Sequence, residues 1–78
     1  MTLTQEIIDY VFSQGTSFEN PAKVKEMCEM RVNGASLRAI AEKYGYASGE
    51  TVRQKIVKVL RLYRIRKHRE KGVIPNDR

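Results

Sequence analysis

Apolar residues recur along this chain at helical spacing. Leu3, Ile7, Ile8, Val11 and Phe12 fall on one face of a helix predicted over residues 3–13. Thr2 or Thr4 caps it, and Glu6 and Asp9 sit in its N-terminal half, where the helix dipole favours acids. Gly15 stops it. Residues 14–20 then read as a linker, with Phe18 the one large apolar residue available to pin it onto the core. Asn20-Pro21 is a strong start signal, an N-cap followed by proline at the first helical position. The second helix is predicted over residues 21–32, with Val24, Met27, Cys28, the stem of Arg31 and Val32 inward. Asn33-Gly34 ends it, Gly34 as a left-handed cap.

Ser36 caps a third helix over residues 37–44. Leu37, Ile40 and Ala41 face inward, and Arg38, Glu42 and Lys43 face out. Gly45 stops it after barely two turns, too short a helix to persist without neighbours. The last helix begins at Ser48 or Gly49 and runs to Gly72, which Val73, Ile74 and Pro75 follow as a stop pattern. That is roughly 22 residues, or about 33 Å at the rise of an α-helix. Val52, Ile56, Val59, Leu60 and Tyr63 make its continuous apolar stripe, while Val57, Leu62 and Ile65 lie off it. The pattern predicts an all-α fold: a small four-helix domain over residues 1–74, with residues 75–78 as a disordered tail.

At 78 residues the chain makes one small domain with a thin core, which oligomerisation would supplement. Its single cysteine, Cys28, forms no internal disulfide. With a single histidine it builds no zinc site, and it reads as a small buried hydrophobe in a cytoplasmic protein. Met27 and Met30 read as flexible core filling. No apolar run is long enough to span a membrane, and the N-terminus lacks the basic start of a signal peptide.

Charge changes the picture most. The net charge is +6, unevenly spread. Residues 1–29 hold five acids (Glu6, Asp9, Glu19, Glu26, Glu29) against Lys23 and Lys25, a balance of −3; residues 30–78 carry +9. An acidic front and a basic back suit a polyanion on one side. Nucleic acid leads, ahead of an acidic protein or an acidic membrane surface.

The residues G-A-S-L-R-A-I-A-E-K-Y-G-Y resemble the opening of a helix-turn-helix shared by resolvases, AraC-like activators and small phage and plasmid regulators. A hydrophobic-Ala pair, a turn glycine and a following hydrophobe are matched by Ile40-Ala41, Gly45 and Tyr46. Ala41 is small where the helices cross, Gly45 takes positive φ, and Tyr46 fills the space beneath the turn. The next hydrophobe usually falls six residues after the glycine. Val52 falls seven after it, so the turn is one residue longer, as AraC-like regulators tolerate.

The resemblance implies that the start of the last helix enters the major groove of double-stranded DNA. Ser48, Gly49, Glu50, Thr51, Arg53, Gln54 and Lys55 would then meet base edges, Arg53 a guanine and Gln54 an adenine. Glu50 has a second reading, stabilising the helix N-terminus through its dipole. Ser36, Arg38, Lys43 and Lys58 would contact phosphates, and Arg61 and Arg64 extend that backbone set. Ser36 has a second reading as an N-cap alone, a role compatible with a phosphate contact through the helix N-terminus.

The basic run of Arg61, Arg64, Arg66, Lys67, His68, Arg69 and Lys71 has three readings: a solvated face, contacts to flanking DNA, or a dock for an acidic partner. His68 reads as an ordinary surface residue. Leu62, Ile65, Val73 and Ile74 are hard to hide in a monomer, which leads to an expected homodimer joined through the last or the first helix. The function expected is a small transcriptional regulator, repressor ahead of activator, associated with the nucleoid when bound. A protein-binding adaptor on a transcription or packaging machine is the alternative. RNA is disfavoured because no exposed aromatic platform is evident. No catalytic arrangement is legible, so neither an enzyme nor a cofactor is expected.

Overall fold

Three helix starts follow one device, a side-chain oxygen that accepts a backbone N–H left without a partner inside the helix. In the computed structural model, which describes residues 2–70, Thr4 Oγ1 accepts from Ile7 N at 3.3 Å. Asn20 Oδ1 accepts from Lys23 N at 3.3 Å, and Ser36 Oγ from Ala39 N at 3.1 Å. These caps open α1 (Gln5–Ser13), α2 (Pro21–Val32) and α3 (Leu37–Tyr44); α4 spans Gly49–Glu70. No strand occurs among the described residues. Thr4, not Thr2, is the cap of α1, so the helix starts later than residue 3. Leu3 stays outside the helix but packs on the core, in the position of a hydrophobic staple.

The ends of α2 and α3 share a second device. At Gly34, φ 105°, Gly34 N donates to Arg31 O at 3.2 Å and Ala35 N to Met30 O at 3.0 Å. At Gly45, φ 78°, Gly45 N donates to Glu42 O at 3.3 Å and Tyr46 N to Ala41 O at 2.9 Å. Both are Schellman closures, which need a residue in the left-handed region where glycine is strain-free. Arg31 differs from expectation: its side chain is exposed, and its Nη1 donates to Ala35 O at 3.1 Å across this turn. The expected end of the last helix at Gly72, the apolar pair Val73 and Ile74, Lys71 and the tail over residues 75–78 lie outside the described residues.

The buried core takes Ile7, Ile8 and Val11 from α1, Val24, Met27 and Cys28 from α2, Ile40 and Ala41 from α3, and Val52, Ile56 and Val59 from α4. No polar or charged residue is buried among the described residues. Burying side chains of this kind stabilises by about 1.5–3 kcal/mol each. Helix α4 packs against all three others. Cys28 is fully enclosed; burial, aided by the Glu29 charge, pushes its thiol up to about 12, so it stays protonated at neutral pH. The Tyr44 hydroxyl is likewise pushed up to about 12, by burial first and then by the Glu26 carboxylate to which it donates.

The second half of α4 is not the free overhang its length suggests. Tyr63 meets Tyr10 edge to face at 5.4 Å between ring centroids. Lys67 Nζ lies 4.6 Å from the Tyr10 ring centre and 5.8 Å from that of Tyr63. Tyr10 Oη donates to Glu70 at 2.5 Å, and Lys67 reaches Glu70 at 3.4 Å. Arg66 spans the end of α1, donating from Nη1 to Val11 O at 3.0 Å and from Nη2 to Gly15 O at 2.7 Å. Two members of the basic run therefore serve the fold. Arg66 satisfies carbonyls at the end of α1, and Lys67 covers an aromatic pair.

Removing Arg66 leaves those carbonyls to water and loosens α1 from α4. Arg66→Ala is expected to lower stability by about 1–2 kcal/mol in urea titration. The Tyr10–Glu70 contact gives a pH signature. Tyr10 first, then Lys67, holds the Glu70 carboxyl below its ordinary 4.5. A depressed carboxyl stabilises above pH 4.5 and loses that contribution as pH falls through its lower folded value. The tyrosine ring resonances of Tyr10 and Tyr63 should shift in that acid window in the native protein, and Glu70→Gln should abolish the shift.

Candidate nucleic-acid interface

The interface is built where α3, the turn over residues 45–48 and α4 meet. Ala41, 2% exposed, lies in the core at the end of the turn's closing hydrogen bond from Tyr46. Tyr46 packs against that core, and Lys23 Nζ lies 5.1 Å from its ring centre. Ser48 Oγ accepts from Glu50 N at 3.3 Å, so this exposed serine shapes the entry to α4.

Gly49 fixes how closely the two helices approach. A Cβ there would lie 3.0 Å from Leu37 Cβ, 3.2 Å from the Leu37 carbonyl carbon and 3.3 Å from Arg38 N. The first residue of α4 is thus pressed against the first turn of α3. Gly49, expected among the base readers, thus lies at the helix–helix contact. The same approach brings Arg38, from α3, beside Ser48 and Gly49 along a surface cleft of about 370 Å³.

With Val52, Ile56 and Val59 turned inward, helical periodicity sends Glu50, Arg53, Gln54, Val57, Arg61 and Arg64 to the far side of α4. Glu50, Arg53, Gln54, Lys58, Arg61 and Arg64 are exposed, whereas Thr51 and Lys55 are half-buried on the flank of this file. Lys58 Nζ lies 5.2 Å from the Phe18 ring centre, so the loop before α2 bounds one side of the face. Ser36 Oγ is used as a cap. Arg38 is open to solvent and pairs loosely with Glu42 at 3.6 Å. Lys43 sits at the other end of α3 from Arg38, with its ammonium 5.6 Å from the Tyr44 ring centre. The structure thus brings Arg38 beside Ser48 and Gly49 at the start of α4 and lines Arg53, Gln54 and Lys58 along the groove that follows. Lys43 lies apart from that group, and Arg61 and Arg64 continue the file along the helix.

The acids of α1 and α2 lie elsewhere. Gln5 Nε2 donates to Asp9 at 3.0 Å and to Glu29 at 3.1 Å, joining α1 to α2, while Glu26 takes the Tyr44 hydroxyl. Since the core separates α4's outer side from α1 and α2, the charge polarity of the sequence becomes a polarity of faces.

Two features of the face were not among the expected site contacts. Arg53 is engaged by Glu50: Nε donates to Oε1 at 2.9 Å and Nη2 to Oε2 at 2.5 Å. Arg53 holds the Glu50 carboxyl below its usual range, and Glu50 raises the Arg53 guanidinium. The pair is about half exposed, 52% for Glu50 and 53% for Arg53, so as a stabilising contact it is screened and weak. Val57 is the second feature, a half-buried apolar residue lining a shallow groove with Arg53, Gln54, Lys58, Arg61, Leu62 and Ile65. Its signal in the sequence was an apolar residue off the buried stripe.

Comparison with known proteins gives no match to any family model, curated protein or solved structure.

The Gly49 contact sets a test. A methyl there gains at most about 1 kcal/mol of helix propensity, against about 1–3 kcal/mol for overpacking the α3–α4 crossing. Gly49→Ala is therefore expected to be a net loss in thermal or urea unfolding. Ala47→Gly, on the exposed turn, is the control.

Proposed function

We propose that this chain is a sequence-specific double-stranded DNA-binding protein, a small transcriptional regulator acting as a repressor ahead of an activator. In this reading α4 enters the major groove by its N-terminal half, with Glu50, Arg53, Gln54 and Val57 toward the bases and Thr51 and Lys55 on the flank. Arg38, Lys58, Arg61 and Arg64 meet phosphates, together with the start of α3 at Ser36. The observation that carries the reading is the outer side of α4. Its exposed basic and amide side chains stand on one rigid helix, braced by α3 and the turn, across the core from the acids of α1 and α2. A helix of this kind matches the width of the major groove, and its charge suits the phosphates on either side.

The proposal includes a homodimer reading two half-sites about 34 Å apart. Ile65, half-buried on the outer side of α4, and the part of Leu62 that its packing on the core leaves open support it, since a second copy would cover that apolar surface. A second reading keeps the same face but gives it an acidic protein partner. The mixture of Val57, Leu62 and Ile65 with Arg53, Lys58 and Arg61 favours it, because apolar residues between cations suit an amphipathic acidic helix.

Selection of bound duplexes from a random pool, followed by footprinting, tests the DNA reading: an enriched motif with one or two protected half-sites is expected. Lys58→Ala should weaken all sequences alike and reduce the slope of log K against log salt by about one. Enrichment of no motif would sink the sequence-specific reading. Salt-sensitive binding to an acidic protein, with no DNA retained at about 0.15 M salt, would favour the second.

A further inference from the structure

Arginine offers five N–H donors in a planar fork. Arg53 commits two of them, Nε–H and one Nη2–H, to the two carboxylate oxygens of Glu50. The outer edge keeps both Nη1 hydrogens and one on Nη2. That edge still presents two parallel donors, the pattern that matches O6 and N7 of guanine in the major groove. We propose that Glu50 is a positioning residue that turns the free edge of Arg53 toward a guanine, making this pair the specificity element of the reading face.

The proposal rests on the DNA-binding reading and assigns the base. Three physical consequences separate it from a simple surface ion pair. The pair is formally neutral, so it adds little to phosphate attraction, and a phosphate approaching Arg53 meets the Glu50 charge as well. Each Glu50 oxygen already accepts one hydrogen from Arg53, so only its second lone pairs are left for the cytosine amino group, the other contact a carboxylate makes in this groove. The arm of Arg53 is already ordered in the free protein, so less freedom is lost when a base is bound. Glu50 lies one turn before Arg53 on the same exposed side of α4, so the buttress and the reader move as one rigid unit.

The test uses the full chain and the duplex motif selected by it. In wild type, replacing the contacted guanine by 7-deazaguanine, which lacks the N7 acceptor, should weaken binding about tenfold or more; with Arg53→Ala the same replacement should have no effect. Glu50→Gln keeps the shape but frees Arg53. It should lower the preference for guanine at that position about tenfold. It should also tighten binding to random duplex and steepen the salt slope by about one, because a repelling charge is gone. A merely structural Glu50 would not produce these opposite changes, and the urea midpoint should barely move because both residues are exposed. If Glu50→Gln leaves the base preference intact, or every 7-deazaguanine duplex binds like the parent, this inference falls while the DNA reading stands. If wild type enriches no motif, both fall.

Discussion

The buried side of α4, formed by Val52, Ile56 and Val59, is the surface on which the other three helices meet. Neither α1 nor α3 is long enough to be stable alone. Their order comes from the apolar area they share with α4, with caps and Schellman turns setting where each begins and ends. Because α4 serves as the common wall, it is the best-braced element of the domain, and its outer side inherits that rigidity. A reading surface benefits from this, since side chains on a fixed helix hold their register better than side chains on a loop.

The same wall sorts the basic residues into two groups. Arg66 and Lys67 turn back onto α1, where one satisfies carbonyls and the other lies over aromatic rings. Lys58, Arg61 and Arg64 stay exposed on the outside, and Arg53 is exposed there but paired with Glu50. A long cationic run thus divides into structural and free cations according to the turn of the helix, not the local density of charge. The free cations gain from the arrangement on the other side of the core. Glu29 and Asp9 are joined through Gln5, and Glu26 is bound to Tyr44, so these acids are held away from the basic face.

Glu50 at the head of α4 has two physical effects at once. Near the helix N-terminus its charge is favoured by the dipole; against Arg53 it cancels a cation that a nonspecific DNA binder would keep free. A carboxylate in that place weakens general attraction to a polyanion, and its geometry orders the remaining donors. A trade of affinity for discrimination is what the proposed sequence-specific reading asks of this face.

Most of the helical architecture was written in local chemistry. Asn20-Pro21, Ser36, Gly34 and Gly45 bounded α2 and α3 at the residues where the structure places them, because caps and left-handed turns are decided by a few adjacent side chains. The buried stripes of α1 and α4 followed from helical periodicity, and the separation of acidic and basic halves from the order of charges along the chain. Contacts between distant segments were not written there. Gly49 read as a helix start and a base contact until α3 was placed against it, and Arg66 and Lys67 read only as members of a basic run until α1 was laid beside them. The choice between Thr4 and Thr2, the exposure of Arg31 and the engagement of Arg53 by Glu50 also needed coordinates. The sequence by itself determined where the helices form, which side of each is apolar and where charge accumulates, since these depend on near neighbours in the chain. Only the tertiary structure decided which cations are free and which residues share the outer side of α4, because that depends on what packs against each turn of the helix.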